Sequence, residues 1–344
     1  MIWFDLDNSP HVPLFIPVFD ELKRRGKKFF VTARDFAQTK DLLDLFKVDY
    51  SLIGKHGGKN KVKKVINLVN RALKLCSYAY GNYNSINLTV SHGSRSQLVA
   101  SKILGIKSLL MFDYEYTESY IFNYFSDFLL VPNVIPVKYL MKVGFNVKKL
   151  IRYGGLKEEL YLSKFQPDPE FRKKINVSND SILVVVRPPS MQSNYHDSRS
   201  EKLLVEVIDY FLRDNSVVIF VVSRTSVEKN FILNNIGASE RVRFLDRVVD
   251  GLQLLYAADF TISGGGTMNR ESALLGTKTY SIFTGKRPFV DIYLNKIGRL
   301  EFVDTPKDIE KIEVRRDLRK KEMFLHSNNL ASEITDIILD LLED

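Results

Sequence analysis

Two carboxylates, Asp5 and Asp7, stand two residues apart at the end of the apolar run IWFDL, just ahead of the turn Asn8-Ser9-Pro10. A carboxylate pair leaving a strand can attack a phosphate ester and protonate its leaving group. Thr32, in the next apolar run KKFFVTAR, offers a hydroxyl for the phosphate. A second constellation lies far along the chain, in FTISGGGTMNRESALLG at 260–276. There a strand ends at Ser263, the glycines Gly264, Gly265 and Gly266 follow, and Thr267 begins a helix. Glycines allow close backbone approach and positive φ. The helix start then offers free N–H groups to an anion, typically a pyrophosphate. One turn on, Glu271 is placed to accept hydrogen bonds from a ribose diol.

The first constellation resembles the strand-end Asp-x-Asp of haloacid-dehalogenase-type phosphatases. Such enzymes also need a later lysine and an acidic pair, Asp-Asp or Gly-Asp-x-x-x-Asp, to hold Mg²⁺ through hard oxygen ligands. The chain contains neither acidic motif, and Asn8 stands where these enzymes carry glycine. Without a metal clamp, a carboxylate facing a phosphate dianion is repelled. The glycine turn is therefore the stronger lead.

The elements that must position these groups alternate between strand and helix. MIWFDL, KKFFVTAR, VDYSLIG, SINLTVS, KSLLMF, DFLLVP and KKLIRYGG read as strands with helical segments between them. The pattern restarts with SILVVVRP, SVVIFVVSR, RVRFLD, FTIS and KTYSIF. Apolar strands separated by helices imply parallel sheets covered on both faces. The expected fold is α/β, with two doubly wound Rossmann-like domains whose sheets face a central cleft. The expected domains are 1–160 and 176–320, and a C-terminal helix over 321–344 can cross back to the first domain. The polar stretch 156–180, with two prolines and weak periodicity, reads as the linker.

Length and charge narrow the class. The chain has 344 residues, which suits two domains. Its one cysteine, Cys76, excludes an internal disulfide and fits a reducing cytoplasm. The opening MIWFDLDNSP has no basic n-region or apolar h-region, so no signal peptide is expected. No apolar run is long enough to span a membrane. Residues 1–160 hold 24 Lys/Arg against 14 Asp/Glu, and the rest hold 26 against 27, so the net charge of +9 resides in the first half. Between Asp49 and Asp113 there is no acidic residue and there are ten Lys/Arg. At its centre, Val62, Val65, Ile66, Val69 and Leu73 recur at helical spacing, making a basic amphipathic helix that can lie on an anionic membrane. No nucleic-acid module is recognised.

The spacing of Gly265, Glu271 and Gly276 resembles the donor-nucleotide loop of GT-B glycosyltransferases, and SGG…NRESALLG is also similar to the nucleotide loop of UDP-N-acetylglucosamine 2-epimerases. The opening NSPHVPLFIPVFDELKRRGKKFFVTAR resembles the GT-B opening, with His11 at the matching position and Asn8-Ser9-Pro10 in place of its two glycines. The epimerase family carries a His-Gly-Asp turn, whereas this chain has His92-Gly93-Ser94. The epimerase His-Arg-Arg-Glu-Asn-like stretch is replaced by Arg187-Pro188-Pro189. Over nearly its full length, and especially in DLDNSPHVPLF, TARDFAQT and GKHGG, the chain resembles the archaeal and bacterial family catalogued as domain of unknown function 354.

The GT-B resemblance implies a glycosyltransferase using a nucleotide-sugar, UDP-linked by preference, with a surface-polysaccharide or lipid-linked diphosphate precursor as acceptor. The alternatives are a nucleotide-sugar 2-epimerase and a non-catalytic nucleotide-sugar-binding or membrane-associated protein. His11, His92 and Glu115 are the candidate bases, since imidazole titrates near neutrality and carboxylates end the fifth strand. Asp5 and Asp7 could orient His11 or cap the turn. Asp113 and Glu118 accompany Glu115 in MFDYEYTES. Donor contacts are expected from Arg187, Ser263, Gly264–Gly266, Thr267, Glu271, Lys286 and Arg287. Acceptor contacts are expected from Asn8, Lys55, His56, Gly57 and Gly58. No metal and no cofactor is expected, and the expected location is cytoplasmic, peripheral to the inner face of the membrane.

Overall fold

The computed structural model describes the chain except residues 37, 56–60, 84, 190–196, 246–248, 319–320 and 344, and the side chains of 61–64. The chain divides into two compact units. The first comprises Met1–Ser163, Pro288–Val290 and His326–Asp344; the second comprises Lys164–Arg287 and Asp291–Leu325.

The first unit is built on seven parallel strands: β1 (Ile2–Leu6), β2 (Phe29–Asp35), β3 (Ser51–Lys55), β4 (Leu88–His92), β5 (Lys107–Met111), β6 (Phe128–Pro132) and β7 (Leu150–Tyr153). Their spatial order is β3-β2-β1-β4-β5-β6-β7. β1 pairs with β2 on one side and with β4 on the other. The order therefore reverses between β1 and β4, and at such a switch point a doubly wound sheet opens a crevice beyond its strand ends.

All five residues of β1 are buried, as a central parallel strand requires. The two-residue period sorts its side chains between faces. Ile2, Phe4 and Leu6 join the core made with helix His11–Arg24 and helix Leu330–Glu343. Trp3 points to the other face and packs with Leu75 and Ala79 of helix Lys61–Asn82 and Ala100 of helix Arg95–Leu104. Asp5 shares that face, and so meets the long helix rather than the first one.

The second unit holds six parallel strands: β8 (Ile182–Arg187), β9 (Val217–Val221), β10 (Val242–Phe244), β11 (Phe260–Ser263), β12 (Lys278–Ser281) and β13 (Glu301–Phe302). Their order is β10-β9-β8-β11-β12-β13, with its own switch point between β8 and β11. The valine-rich β8 is buried through Val186.

Two sequence expectations need correction. The terminal helix is shorter than expected, Leu330–Glu343. Ahead of it the backbone is held by tertiary bonds: Phe324 N–H donates to the Leu274 carbonyl (2.8 Å) and His326 N–H to Glu159 (2.6 Å). Nor is 156–180 a plain linker. It contains short helices at Glu159–Leu162 and Phe171–Lys174, and Lys157, Glu158 and Glu159 are buried. At 157–159 the polar sequence reflects an ionic interior, whereas most of 164–180, where the second unit begins, is exposed.

Candidate functional site

Asp5, the first of the two N-terminal carboxylates, is fully enclosed. Arg71 donates Nη1 to Oδ2 (2.8 Å) and Nη2 to Oδ1 (2.7 Å). Ser94 Oγ and Thr32 Oγ1 each donate to Asp5 at 2.6 Å, and Trp3 Nε1 donates to Thr32 at 2.9 Å. Burial works to raise the Asp5 carboxyl, but Arg71, Ser94 and Thr32 outweigh it and hold it below its ordinary value. With its lone pairs occupied, Asp5 is an anchor and not a nucleophile, and Thr32 serves the anchor. The phosphatase arrangement is absent.

Asp7 lies one step further out. Arg34 Nε is 2.7 Å from Oδ1, and Arg71 Nη1 is 3.5 Å away. Burial nonetheless raises the Asp7 carboxyl, outweighing both arginines. The Asp7 carboxylate does not orient His11; its backbone does. The Asp7 N–H donates to His11 Nδ1 at 3.3 Å. A neutral His11 therefore carries its proton on Nε2. Burial, followed by the His92 and Lys157 charges, pushes His11 well below its ordinary range. His11 is thus a neutral hydrogen-bond donor. That geometry, with Nδ1 facing the Asp7 N–H, suits His11 less to the role of base expected of it.

His92, the last residue of β4, lies with its ring centre 4.9 Å from that of His11. Its Nε2 is 3.4 Å from Asp113 Oδ1, just beyond β5. Lys157 Nζ sits 2.6 Å from the other Asp113 oxygen and 2.5 Å from Glu158 Oε1. Asp7, Asn8, His11, Arg34, His92, Arg95 and Asp113 line a cavity of about 290 Å³, which Phe112, Tyr114 and Phe122 close with aromatic surface. The cavity thus brings two imidazoles, His11 and His92, together with the Asp113 carboxylate.

In the second unit, Ser263 is register-paired with Arg187, so the glycine turn leaves the sheet beside the end of β8 at the switch point. Gly265 and Gly266 have φ of +96° and +92°, which side chains rarely adopt. A Cβ on Gly264 would lie 2.4 Å from Pro189 Cα. Helix Thr267–Leu274 follows. Arg187 Nη1 donates to the Val222 carbonyl (2.8 Å). Burial and then Arg224 lower Arg187 to about 10, against the opposing pull of Glu228 and Glu271. It stays charged at neutral pH, in a setting where a bound anion would relieve its repulsion from Arg224.

Other expected residues fall elsewhere. Glu115 is fully buried and accepts the Phe289 N–H (2.7 Å), so it ties down backbone and does not line the cavity; Asp113 takes the place expected of it. Arg287 pairs with Asp304 and stacks 3.8 Å over the Phe302 ring, which commits it to β13 and its exit. Lys286 is exposed, and Lys55 ends the edge strand β3. His56, Gly57 and Gly58 lie outside the described residues. Lys157, Glu158 and Arg34 were not singled out from sequence; the one local signal was the Gly154-Gly155 turn ahead of Lys157. Arg71 counts with the basic helix in sequence, yet only 3% of it is exposed. Among the described residues no group of three or more His, Cys, Asp or Glu side chains is set to hold a metal ion.

Two parallel sheets of seven and six strands make this an α/β protein of two Rossmann-like units, GT-B-like in fold. The chain belongs to the family described as Protein of unknown function (DUF354), whose sequence profile matches residues 1–343. It is 28% identical over 323 residues to the uncharacterized protein MJ0665 of Methanocaldococcus jannaschii, covering 90% of this chain and 89% of that one. Its structure is similar to UDP-GlcNAc 2-epimerase from Neisseria meningitidis bound to UDP-GlcNAc, with a TM-score of 0.76, 13% identity, and 98% and 99% of the two chains covered. It is also similar to the Methanocaldococcus jannaschii UDP-GlcNAc 2-epimerase in complex with UDP-GlcNAc and UDP, with a TM-score of 0.75, 12% identity and the same coverage. At these identities the likeness is one of fold.

Proposed function

We propose that this protein is a nucleotide-sugar-dependent glycosyltransferase. The observation that carries the reading is the glycine turn after β11, beside the end of β8 that bears Arg187: backbone N–H groups at a helix start and a half-buried guanidinium nearby suit a diphosphate. The turn and Arg187 take the diphosphate, Glu271 takes the ribose hydroxyls, and UDP is the preferred nucleotide. In the first unit, His92 takes the proton of an acceptor hydroxyl. The acceptor oxygen bonds to the anomeric carbon while the bond from that carbon to the diphosphate breaks. The diphosphate leaves with the electron pair, and Arg187 with the turn N–H groups balances its charge. Nε2–H of His11 hydrogen-bonds the acceptor. The chemistry calls for no cofactor. The acceptor class is a surface-polysaccharide or lipid-linked precursor, and Cys76, the single cysteine, fits a cytoplasmic reaction.

A second reading, epimerisation of the nucleotide-sugar, has the fold likeness to UDP-GlcNAc 2-epimerases in its favour. Against it, Ser94 stands where that family carries a carboxylate, and its hydroxyl is committed to Asp5.

Thermal shift against UDP, GDP, CMP, dTDP and their sugars tests the donor site, with Glu271→Ala alongside. Stabilisation by one nucleotide that the substitution removes is the expected result. No shift with any of them overturns the reading. Incubation of the matching nucleotide-sugar then separates the two chemistries: a transferase leaves it intact until an acceptor is supplied, whereas an epimerase converts it alone.

A further inference from the structure

Helix Lys61–Asn82 buries one stripe and exposes another on its far side. Leu75 and Ala79 face the sheet, and Arg71 turns inward to Asp5. At about 100° per residue, Ile66, Val69, Leu73 and Tyr80 fall about 120–180° around the helix from Leu75. These four are between 44% and 85% exposed. Single exposed apolar residues are ordinary, but a run of them along one helix is a patch. The neighbouring helices extend it. Helices Arg95–Leu104 and Ser119–Phe125 lie next in the same layer, and they leave Ile103, Tyr120 and Tyr124 between 58% and 71% exposed.

Charge selects what can cover this patch. From Tyr50 to Phe112 the sequence carries no Asp or Glu and ten Lys/Arg, of which Arg71 is committed to Asp5 and Arg95 to Glu118. Lys74 and Lys102 are exposed on the layer itself. A polyanion such as RNA would use the lysines and leave the aliphatic stripe in water. A neutral protein surface would use the stripe and gain nothing from the lysines. An anionic bilayer uses both: headgroups meet the lysines, the acyl boundary takes the aliphatic side chains, and tyrosines favour the interface between them. No helix of the described residues is long and apolar enough to cross a membrane.

We infer that the outer face of this helical layer docks the first unit onto an anionic lipid bilayer, with helix Lys61–Asn82 lying in the headgroup plane. The inference stands on exposure and charge and does not rest on the nucleotide-sugar reading.

Co-sedimentation of the full chain with vesicles tests it, using phosphatidylcholine alone and equal parts phosphatidylcholine and phosphatidylglycerol. Binding is expected to the mixed vesicles only, and to weaken with salt. Ile66→Asp with Leu73→Asp is expected to weaken it at least about tenfold, since two side chains lose their place in the acyl boundary. Lys74→Glu with Lys102→Glu is expected to weaken it and flatten the salt dependence. Tyr120→Ser with Tyr124→Ser, on a different helix, repeats the test should the first pair impair folding. Absence of binding to the mixed vesicles overturns the inference. So does binding that salt abolishes but the apolar substitutions leave unchanged, which would mark a surface for a polyanion. A chain that is dimeric in solution and becomes monomeric with Ile66→Asp and Leu73→Asp also overturns it, because a second copy would then own the face.

Discussion

Arg71 and Asp5 meet through two parallel hydrogen bonds of 2.8 and 2.7 Å, in a place where Arg71 is 3% exposed and Asp5 not at all. The pair joins the first strand to the helix Lys61–Asn82 across 66 residues of chain, and it sits directly behind Asp7 and the turn that bears His11. Removing one partner strands a buried charge. Asp5→Asn is expected to cost about 3–5 kcal/mol in urea unfolding. Replacing both, Asp5→Leu with Arg71→Met, is expected to recover part of that loss. If Asp5→Asn folds as stably as the parent and loses a phosphatase activity, the anchor role is wrong.

His11 makes stability depend on pH in a defined window. Its folded value lies well below the ordinary 6.5, so the unfolded chain binds a proton that the folded chain refuses. The corresponding stability is fully present above that ordinary value and is lost as pH falls from it toward the folded value, by up to about 1.4 kcal/mol per pH unit. In His11→Asn, the Oδ1 atom can still accept the Asp7 N–H, and no titrating group remains. The difference in melting temperature between pH about 7.5 and about 5 should therefore shrink in that variant. An unchanged difference would mean that His11 is not held neutral.

His92 and Asp113 should separate binding from turnover. His92→Ala is expected to lower kcat by about 10²–10⁴ while the nucleotide-induced thermal shift persists. Asp113→Asn should lower kcat less and move the acidic limb of the pH–rate profile. Equal loss of nucleotide binding and of turnover in His92→Ala would argue against a role as base.

Gly264 tests the second unit. An alanine there places a methyl 2.4 Å from the Pro189 backbone, so β11 or the segment after β8 must move. Gly264→Ala is expected to destabilise by about 1–3 kcal/mol and to weaken nucleotide binding. Gly93→Ala, where a Cβ meets nothing within 4 Å, controls for loss of a glycine as such, although its φ of +73° adds local strain. Comparable losses of nucleotide binding in both variants would remove the special standing of the turn.

Much of the architecture was legible because its signals are local. Central parallel strands are buried on both faces, so runs such as IWFDL and ILVVVR announce themselves, and strand ends mark where His11, His92, Arg187 and the glycine turn must emerge. Glu115 misled because a buried carboxylate that caps backbone N–H groups looks, in sequence, like one placed for catalysis. The start of the stretch 156–180 misled for a related reason: Lys157, Glu158 and Glu159 have the composition of a solvated linker, yet all three are buried, with Lys157 paired to Asp113 and Glu158, and Glu159 bonded to His326.

The sequence by itself determined the two doubly wound sheets, the family, the glycine turn and the basic, acid-free stretch, all of which follow from short-range patterns of apolarity, charge and glycine. Only the tertiary structure decided the state of each polar group. It committed Asp5 to Arg71, turned the Asp7 N–H toward His11 and so set which nitrogen of His11 holds the proton, and brought Lys157 to Asp113. Those outcomes depend on which side chains from distant segments share a desolvated space, where every charge must find its partner or change its protonation.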